Sequence, residues 1–294
     1  VRHDFADDEI AASKPRPSLS AVVITYNREK IIGTCLKALG FACEILVVDK
    51  SSTDATRSIA ARYADRVIQV PWSPTVEETR GFAVSQCSHD WVLLLDDDEC
   101  LNAQMVLFID RELRSPRANI YSFPLRHYIM ATHDERAYYW PASHVRLFRR
   151  GSIAFRSTVH GGMEYLSEQL YHVPVETGVC IHHLSHVDAA QWVEKANRYT
   201  SQPDRKVAAG ECDNIIDYAH GRIDHWAGRC KTREDPYVSS MAVLRALYDI
   251  IDHVKAWEQS RGRDGEALFS DICAGLEEEY RTVLGHLERP HAVA

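Results

Sequence analysis

Apolar residues fall in short blocks along the first hundred positions, and the blocks alternate between two periods. SAVVITYN (Ser20–Asn27) is a β-branched apolar run that ends in polar residues. From Arg28 to Leu39 the apolar positions Ile31, Ile32, Cys35, Leu36 and Leu39 recur at helical spacing. EILVVD (Glu44–Asp49) is a second strand. Ser51, Ser52, Thr53 and Asp54 then offer N-caps for a helix reaching Ala64. RVIQVPW (Arg66–Trp72) reads as a third strand, Thr75–Cys87 as a helix and WVLLLD (Trp91–Asp96) as a fourth strand. Strands apolar on both faces and separated by helices predict a largely parallel sheet covered on both sides.

The pattern changes after Leu101. A helix is expected over Gln104–Arg114, followed by the alternating segments Ile120–Met130, His144–Arg150 and Val173–Leu184. These read as antiparallel or mixed strands that extend the sheet. From Asp188 onward the pattern is helical, over Asp188–Thr200, Pro236–Trp257 and Leu268–Leu287. In the second of these, Val238, Met241, Leu244, Leu247, Tyr248, Ile251, Val254 and Trp257 form one broad stripe. That stripe is read as a packing face, with a membrane-surface or homodimer role for the C-terminal helices as the lesser reading. The expected organisation is a flexible polar leader (1–17), a first half of the sheet domain (18–101), a second half (102–187) and a helical C-terminal region (188–294). The class is α/β, a mixed sheet flanked by helices with a helical C-terminal extension.

Composition narrows the function. The chain has 294 residues, is 45% hydrophobic and carries a net charge of −8. That balance argues against a nucleic-acid partner, and no long basic run offsets it. No apolar stretch approaches the roughly 18–20 residues that span a bilayer. The first residues lack the apolar core of a secretory signal. The eight cysteines form no CxxC pair, which favours reduced thiols and a cytoplasmic protein, or one peripheral to the inner membrane.

The candidate chemistry lies at strand ends. In open α/β sheets ligands bind outside the carboxyl ends of the strands. Thr25, Tyr26 and Asn27 close the first strand and Asp49 the second, while LLLDDDE (Leu93–Glu99) drives the fourth into four carboxylates. Carboxylates at i and i+2 after a strand suit hard divalent cations. A solvated acidic turn is the bland alternative.

The blocks AVVITYNREKIIGTCLKAL, EILVVDKSSTDAT and ETRGFAVSQCSHDWVLLLDDDE, in this order and spacing, resemble family 2 glycosyltransferases of GT-A (Rossmann-like) fold. The branch containing lipopolysaccharide-core glucosyltransferases is most similar. Its other features correspond here to Val145–Arg150, Val159–His160, His182–His183 and Asn197–Thr200. The resemblance covers Ser18–Thr200, and Ala242–Glu258 is similar to the family's tail.

The resemblance implies an inverting transferase acting on a nucleotide-diphosphate sugar, a UDP-sugar above all, with Mn²⁺ or Mg²⁺. Thr25, Tyr26 and Asn27 would line the base pocket, and Asp49 would bond base or ribose. Arg80 would contact nucleotide or organise the acidic loop. Asp96, Asp97 and Asp98 would form the DxD-type motif, with Asp96 nearer the ribose and Asp98 on the metal. His183 would join Asp96 and Asp98 at the metal, and Arg146 would face the diphosphate. Gly161 stands where this branch has a Glu after the V-H histidine, so the general base passes to Glu164 or His160. Lys50 stands where the family prefers small or amide residues, and Glu77 and Glu78 read only as first-turn helix charges. The acceptor is a saccharide, a lipid-linked sugar or a small molecule, with a soluble one favoured by the polar tail. Two rival functions are a sugar-nucleotide-binding protein without turnover and a nucleotidyltransferase.

Overall fold

The computed structural model describes residues 18–74, 76–155, 162–201, 214–262 and 264–285. The first half follows the predicted alternation: β1 (Leu19–Thr25), α1 (Ile32–Lys37), β2 (Glu44–Asp49), α2 (Thr56–Ala60), β3 (Arg66–Gln69), α3 (Glu77–Ser85) and β4 (Trp91–Asp96). Then come β5 (Glu99–Leu101), α4 (Ala103–Glu112), β6 (Ile120–Ile129), β7 (Ala142–Arg149), β8 (Ile153–Phe155), β9 (Met163–Tyr165), β10 (Leu170–His172) and β11 (Ile181–His186). The helices α5 (Ala189–Thr200), α6 (Ile215–Gly228), α7 (Pro236–Ser260) and α8 (Gly265–Gly285) complete the described chain.

The main sheet runs β3-β2-β1-β4-β7-β6-β11-β5, with β10 also on β6. β3, β2, β1 and β4 pair parallel, whereas β7 is antiparallel to both β4 and β6. This is the mixed sheet flanked by helices that the resemblance to the GT-A fold led one to expect.

Every residue of β1 and β2 is buried, because α1 and α4 cover one face and α3 the other. Leu93 and Leu95 join the first layer with Ile32, Leu36 and Met105. Leu94 joins the second with Ala83 and Val84. Each fully buried leucine contributes about 1.5–3 kcal/mol, so β4 is a rigid base for the loop it carries.

Several expectations are corrected. The strand expected over Val173–Leu184 is a 3₁₀ turn (Val175–Thr177) followed by β11, because Gly178 takes φ +71 and breaks the extended run. β3 stops at Gln69, two residues before Pro71, which has no N–H to extend the ladder. The short strands β5, β8, β9 and β10 and helix α6 had no periodic signal strong enough to mark them. Asn214 caps α6 by accepting from Asp217 N at 3.1 Å.

The stripe on α7 is only partly its packing face. Val238, Met241, Ala242, Ala246, His253 and Ala256 are the buried positions, and small alanines let α6 come close. Val254, expected on the stripe, is exposed. Nothing in the structure supports the homodimer reading. Among the described residues no helix is long and apolar enough to cross a membrane, and no two of the described cysteines form a disulfide.

Candidate functional site

The ends of β1, β2 and β4 open into a cavity of about 870 Å³, walled on the far side by α5 and α7. The acidic loop sits between the two sides. After β4, Asp97 and Asp98 form a turn that β5 closes, and Leu184 N of β11 donates to Asp98 O at 2.8 Å.

The three aspartates are held by different sets of cations, with Arg28 shared between Asp97 and Asp98. Asp96 accepts from Arg80 Nη2 at 3.1 Å and from Arg146 Nη2 at 2.9 Å. Asp97 accepts from Tyr26 N at 2.9 Å and Arg28 Nε at 3.0 Å. Asp98 meets Arg28 Nη2 at 3.1 Å, His183 Nε2 at 3.3 Å and Lys195 Nζ at 4.0 Å. The chain's own cations therefore relieve the repulsion that the sequence left to a metal.

The electrostatics follow. Burial works against the charge of Asp96, yet Arg146 and Arg80 outweigh it and hold the pKa at about 2. For Asp97 burial wins over Arg28, and the pKa rises to about 6. Burial also opposes the charge on Asp98, but His183, Lys195 and Arg28 hold it below the usual carboxylate range. Burial would depress His183, but the Asp98 carboxylate raises it instead. Burial and the nearby His183 push His127 down to about 2. His127 Nδ1 stands 2.8 Å from His183 Nδ1, a contact that turns the opposite ring nitrogen, Nε2, toward Asp98.

Thr25, Tyr26, Asn27, Arg80, Asp96, Asp97, Asp98 and His183 all line the cavity. Other expected site residues are placed differently. Asp49 is fully buried and off the lining; its carboxylate accepts from Ser52 N at 3.1 Å, holding the loop after β2. Arg146 lies beneath the acidic loop rather than facing the cavity, with Glu99 taking Nε at 2.7 Å and Nη2 at 2.6 Å. Asp96, expected as a metal ligand, has both oxygens on arginines. Among the described residues no group of three or more His, Cys, Asp or Glu is gathered for a metal. Glu164 is exposed on the β8–β9 hairpin and off the lining, and His160 lies outside the described residues.

Sequence reasoning missed Arg28, Lys50, Trp72, Glu77 and Lys195, all on the lining. Arg28 had a signal: it directly follows Asn27, whose φ of +51 ends β1 and turns the chain over the acidic loop. Asn27 also clamps that turn, accepting from Thr53 N at 2.8 Å. Lys195 had none, because its approach depends on how α5 packs.

The pair Asp98 and His183 fits a divalent cation in one respect. Cis ligands on an octahedral ion with bonds of about 2.1 Å sit about 3 Å apart. The Asp98 Oδ1 and His183 Nε2 atoms stand at 3.3 Å, both side chains on the cavity wall.

A family model described as Glycosyl transferase family 2 matches residues 20–168. The chain is 28% identical over 194 residues to an uncharacterized glycosyltransferase of Rickettsia typhi, covering 63% of this chain and 66% of the relative. It is 36% identical over 93 residues to the lipopolysaccharide core biosynthesis glycosyltransferase LpsC of Rhizobium meliloti, covering 30% of this chain and 34% of that one. The chain thus spans less than two thirds of either relative. Among solved structures, S. aureus TarS in complex with UDP is 13% identical, with a TM-score of 0.43 over 84% of this chain and 93% of the other. A likeness at that level adds nothing to the family match and the sheet order, and it is on the first of these that the chain belongs to glycosyl transferase family 2.

Proposed function

We propose that the chain is an inverting glycosyltransferase that moves a sugar from a nucleotide-diphosphate sugar, a UDP-sugar, to an acceptor hydroxyl. The observation that carries this is the acidic loop at the end of β4, held open to one cavity by Arg28, Arg80, His183 and Lys195. In the reaction the acceptor oxygen forms a bond to the anomeric carbon from one side. The bond to the diphosphate oxygen breaks on the other, and its electron pair leaves with the nucleoside diphosphate. Arg28 and Lys195 line the cavity where that charge develops, and such preorganised cations stabilise it. Asp98 and His183 would hold a divalent cation, Mn²⁺ or Mg²⁺, which when bound supplies further positive charge to the leaving diphosphate.

The acceptor proton needs a base. Glu194 of α5 lines the cavity, one residue from Lys195 and on the wall opposite the strand ends. We assign the role to Glu194 ahead of the off-lining Glu164. The acceptor is a saccharide or another hydroxyl compound that fits the wall formed by α5 and α7.

The test is UDP release across a panel of sugar nucleotides with Mn²⁺ or Mg²⁺, comparing the protein with Asp98→Ala. Turnover that falls about a thousandfold in the variant is the expected result. Equal turnover in both sinks the assignment of Asp98. Tight sugar-nucleotide binding without turnover on any acceptor favours a binding protein instead.

A further inference from the structure

The wall formed by α5 and α7 differs in charge from the strand ends. Among the described residues, Lys195, Arg198 and Arg245 line it against one carboxylate, Glu194. On the other side, Glu77, Asp96, Asp97 and Asp98 face Arg28, Lys50 and Arg80. The cation excess therefore sits on the helical wall, in a chain whose net charge is −8. Lys195 is committed to Asp98, 4.0 Å away. Arg245 belongs instead to a separate cluster between α6 and α7.

The Arg245 guanidinium carbon stands 4.7 Å from the ring centroid of Trp226 and 4.7 Å from that of Tyr248. Its Nη1 donates to Asp249 Oδ1 at 2.5 Å. That carboxylate is shared. Arg222 Nη2 lies 2.6 Å from Oδ2, and Trp226 Nε1 donates to the same oxygen at 2.7 Å. Two guanidiniums on one carboxylate leave a positive charge in excess, so Arg245 is not required to neutralise Asp249. The two rings and Asp249 hold the guanidinium in one place and one plane. A guanidinium carries five N–H groups. Among the described residues only Nη1 of Arg245 makes a hydrogen bond. The side chain is 30% exposed and lines the cavity.

We propose that Arg245 binds an oxyanion on the acceptor, which makes the acceptor a phosphorylated or carboxylated saccharide rather than a neutral one. The N–H groups that Asp249 leaves over suit two oxygens of a carboxylate or a phosphate, which a planar guanidinium meets with paired bonds. A neutral sugar seated on this wall would strip water from the guanidinium and return no charge, which is unfavourable. An oxyanion returns it. Tyr199 and Tyr248 on the same wall offer ring faces to the apolar C–H side of the sugar. The proposal rests on the transferase reading above and adds the chemical class of its acceptor.

The experiment measures UDP release from a panel of UDP-sugars by the whole protein, with glucose, glucuronic acid and glucose 6-phosphate as acceptors. It is repeated on Arg245→Gln and Arg245→Lys. Thermal melts check folding, which Asp249 supports in both variants by keeping Arg222. Calorimetric titration with UDP checks the donor side. The expected result is a kcat/KM about tenfold higher for a charged acceptor than for glucose, an advantage that Arg245→Gln removes and Arg245→Lys keeps in part, since a charge-assisted hydrogen bond is worth about that factor. The better of the two charged acceptors tells phosphate from carboxylate. UDP affinity and turnover on glucose should be the same in all three proteins. Glucose used as well as the charged sugars overturns the proposal and leaves the transferase reading standing. So does an advantage that Arg245→Gln retains, a loss equal for all three acceptors, or a fall in UDP affinity, which would place Arg245 on the donor. UDP release that no acceptor accelerates overturns it too. If the unsubstituted protein neither binds UDP nor releases it from any UDP-sugar, both readings fall together.

Discussion

The two walls of the cavity are made in different ways. On one, Thr25, Lys50 and the acidic loop stand directly at the ends of β1, β2 and β4, strands buried on both faces. On the other, Lys195, Tyr199, Arg245 and Tyr248 stand on α5 and α7, which pack against the sheet through a smaller aromatic cluster around Trp140 and Trp192. The first wall falls within the stretch matched by the family model, and α5 and α7 fall outside it. A surface at strand ends is fixed by the hydrogen-bonded ladder beneath it. A surface on helices can change its side chains without disturbing that ladder. We read the first as the donor wall and the second as the acceptor wall. Asp98 joins them, bonded to Arg28 on one side and to His183 and Lys195 on the other.

The most severe way to break this arrangement is from below. Arg146 is buried between Asp96 and Glu99. Arg146→Met leaves the buried Glu99 carboxylate without its cation while Asp96 keeps Arg80, a loss of about 3–4 kcal/mol. Urea denaturation measures it. A variant as stable as the parent would show that the acidic loop does not depend on this ion triad.

The next effect separates the walls. Glu194→Gln is expected to lower kcat about a hundredfold while the dissociation constant for UDP stays unchanged. Steady-state kinetics with calorimetry checks both. An unaltered kcat moves the base elsewhere. A milder substitution sharpens the same division. Tyr248→Ala on α7 should raise the acceptor KM by about fivefold and leave the donor KM alone, since a lost aromatic contact is worth about 1 kcal/mol. If the donor KM rises instead, the two walls are wrongly assigned.

The smallest effect is on stability against pH. His183 is raised by Asp98, so its contribution is complete below the ordinary imidazole value of about 6.5 and is lost as pH climbs through the raised value. Asp98 is depressed, so its contribution is present above about 3.9 and lost as pH falls through the lowered value. The melting temperature should therefore decline by about 2–4 °C on the alkaline side of neutral, and His183→Gln should flatten that limb. A decline of the same size in the variant would assign it to other groups.

Much of the donor wall was legible along the chain. The β-branched runs of β1, β2 and β4 announce strands buried on both faces, and polar residues at their ends announce a ligand crevice. Thr25, Tyr26, Asn27, Arg80 and the three aspartates all line the cavity. Asp49, at the end of β2, and Arg146, within β7, stand off the cavity lining. Which way a buried charge turns depends on partners from other segments. Arg146 reaches a carboxylate 47 positions away in Glu99, and Arg28 reaches one 70 positions away in Asp98. No local pattern records such pairings.

The sequence by itself determined the alternation of strands and helices, the position of the acidic loop after a buried strand, and the membership of the family. Those features follow from burial along a single segment, which leaves its period in the residues. Only the tertiary structure decided that Arg28, Arg80, Arg146, His183 and Lys195 share out the charge of that loop, and that Lys50 and Glu77 line the cavity while Asp49 does not. Those features depend on which distant segments are brought together when the sheet closes, and on the energetic need of every buried charge for a partner.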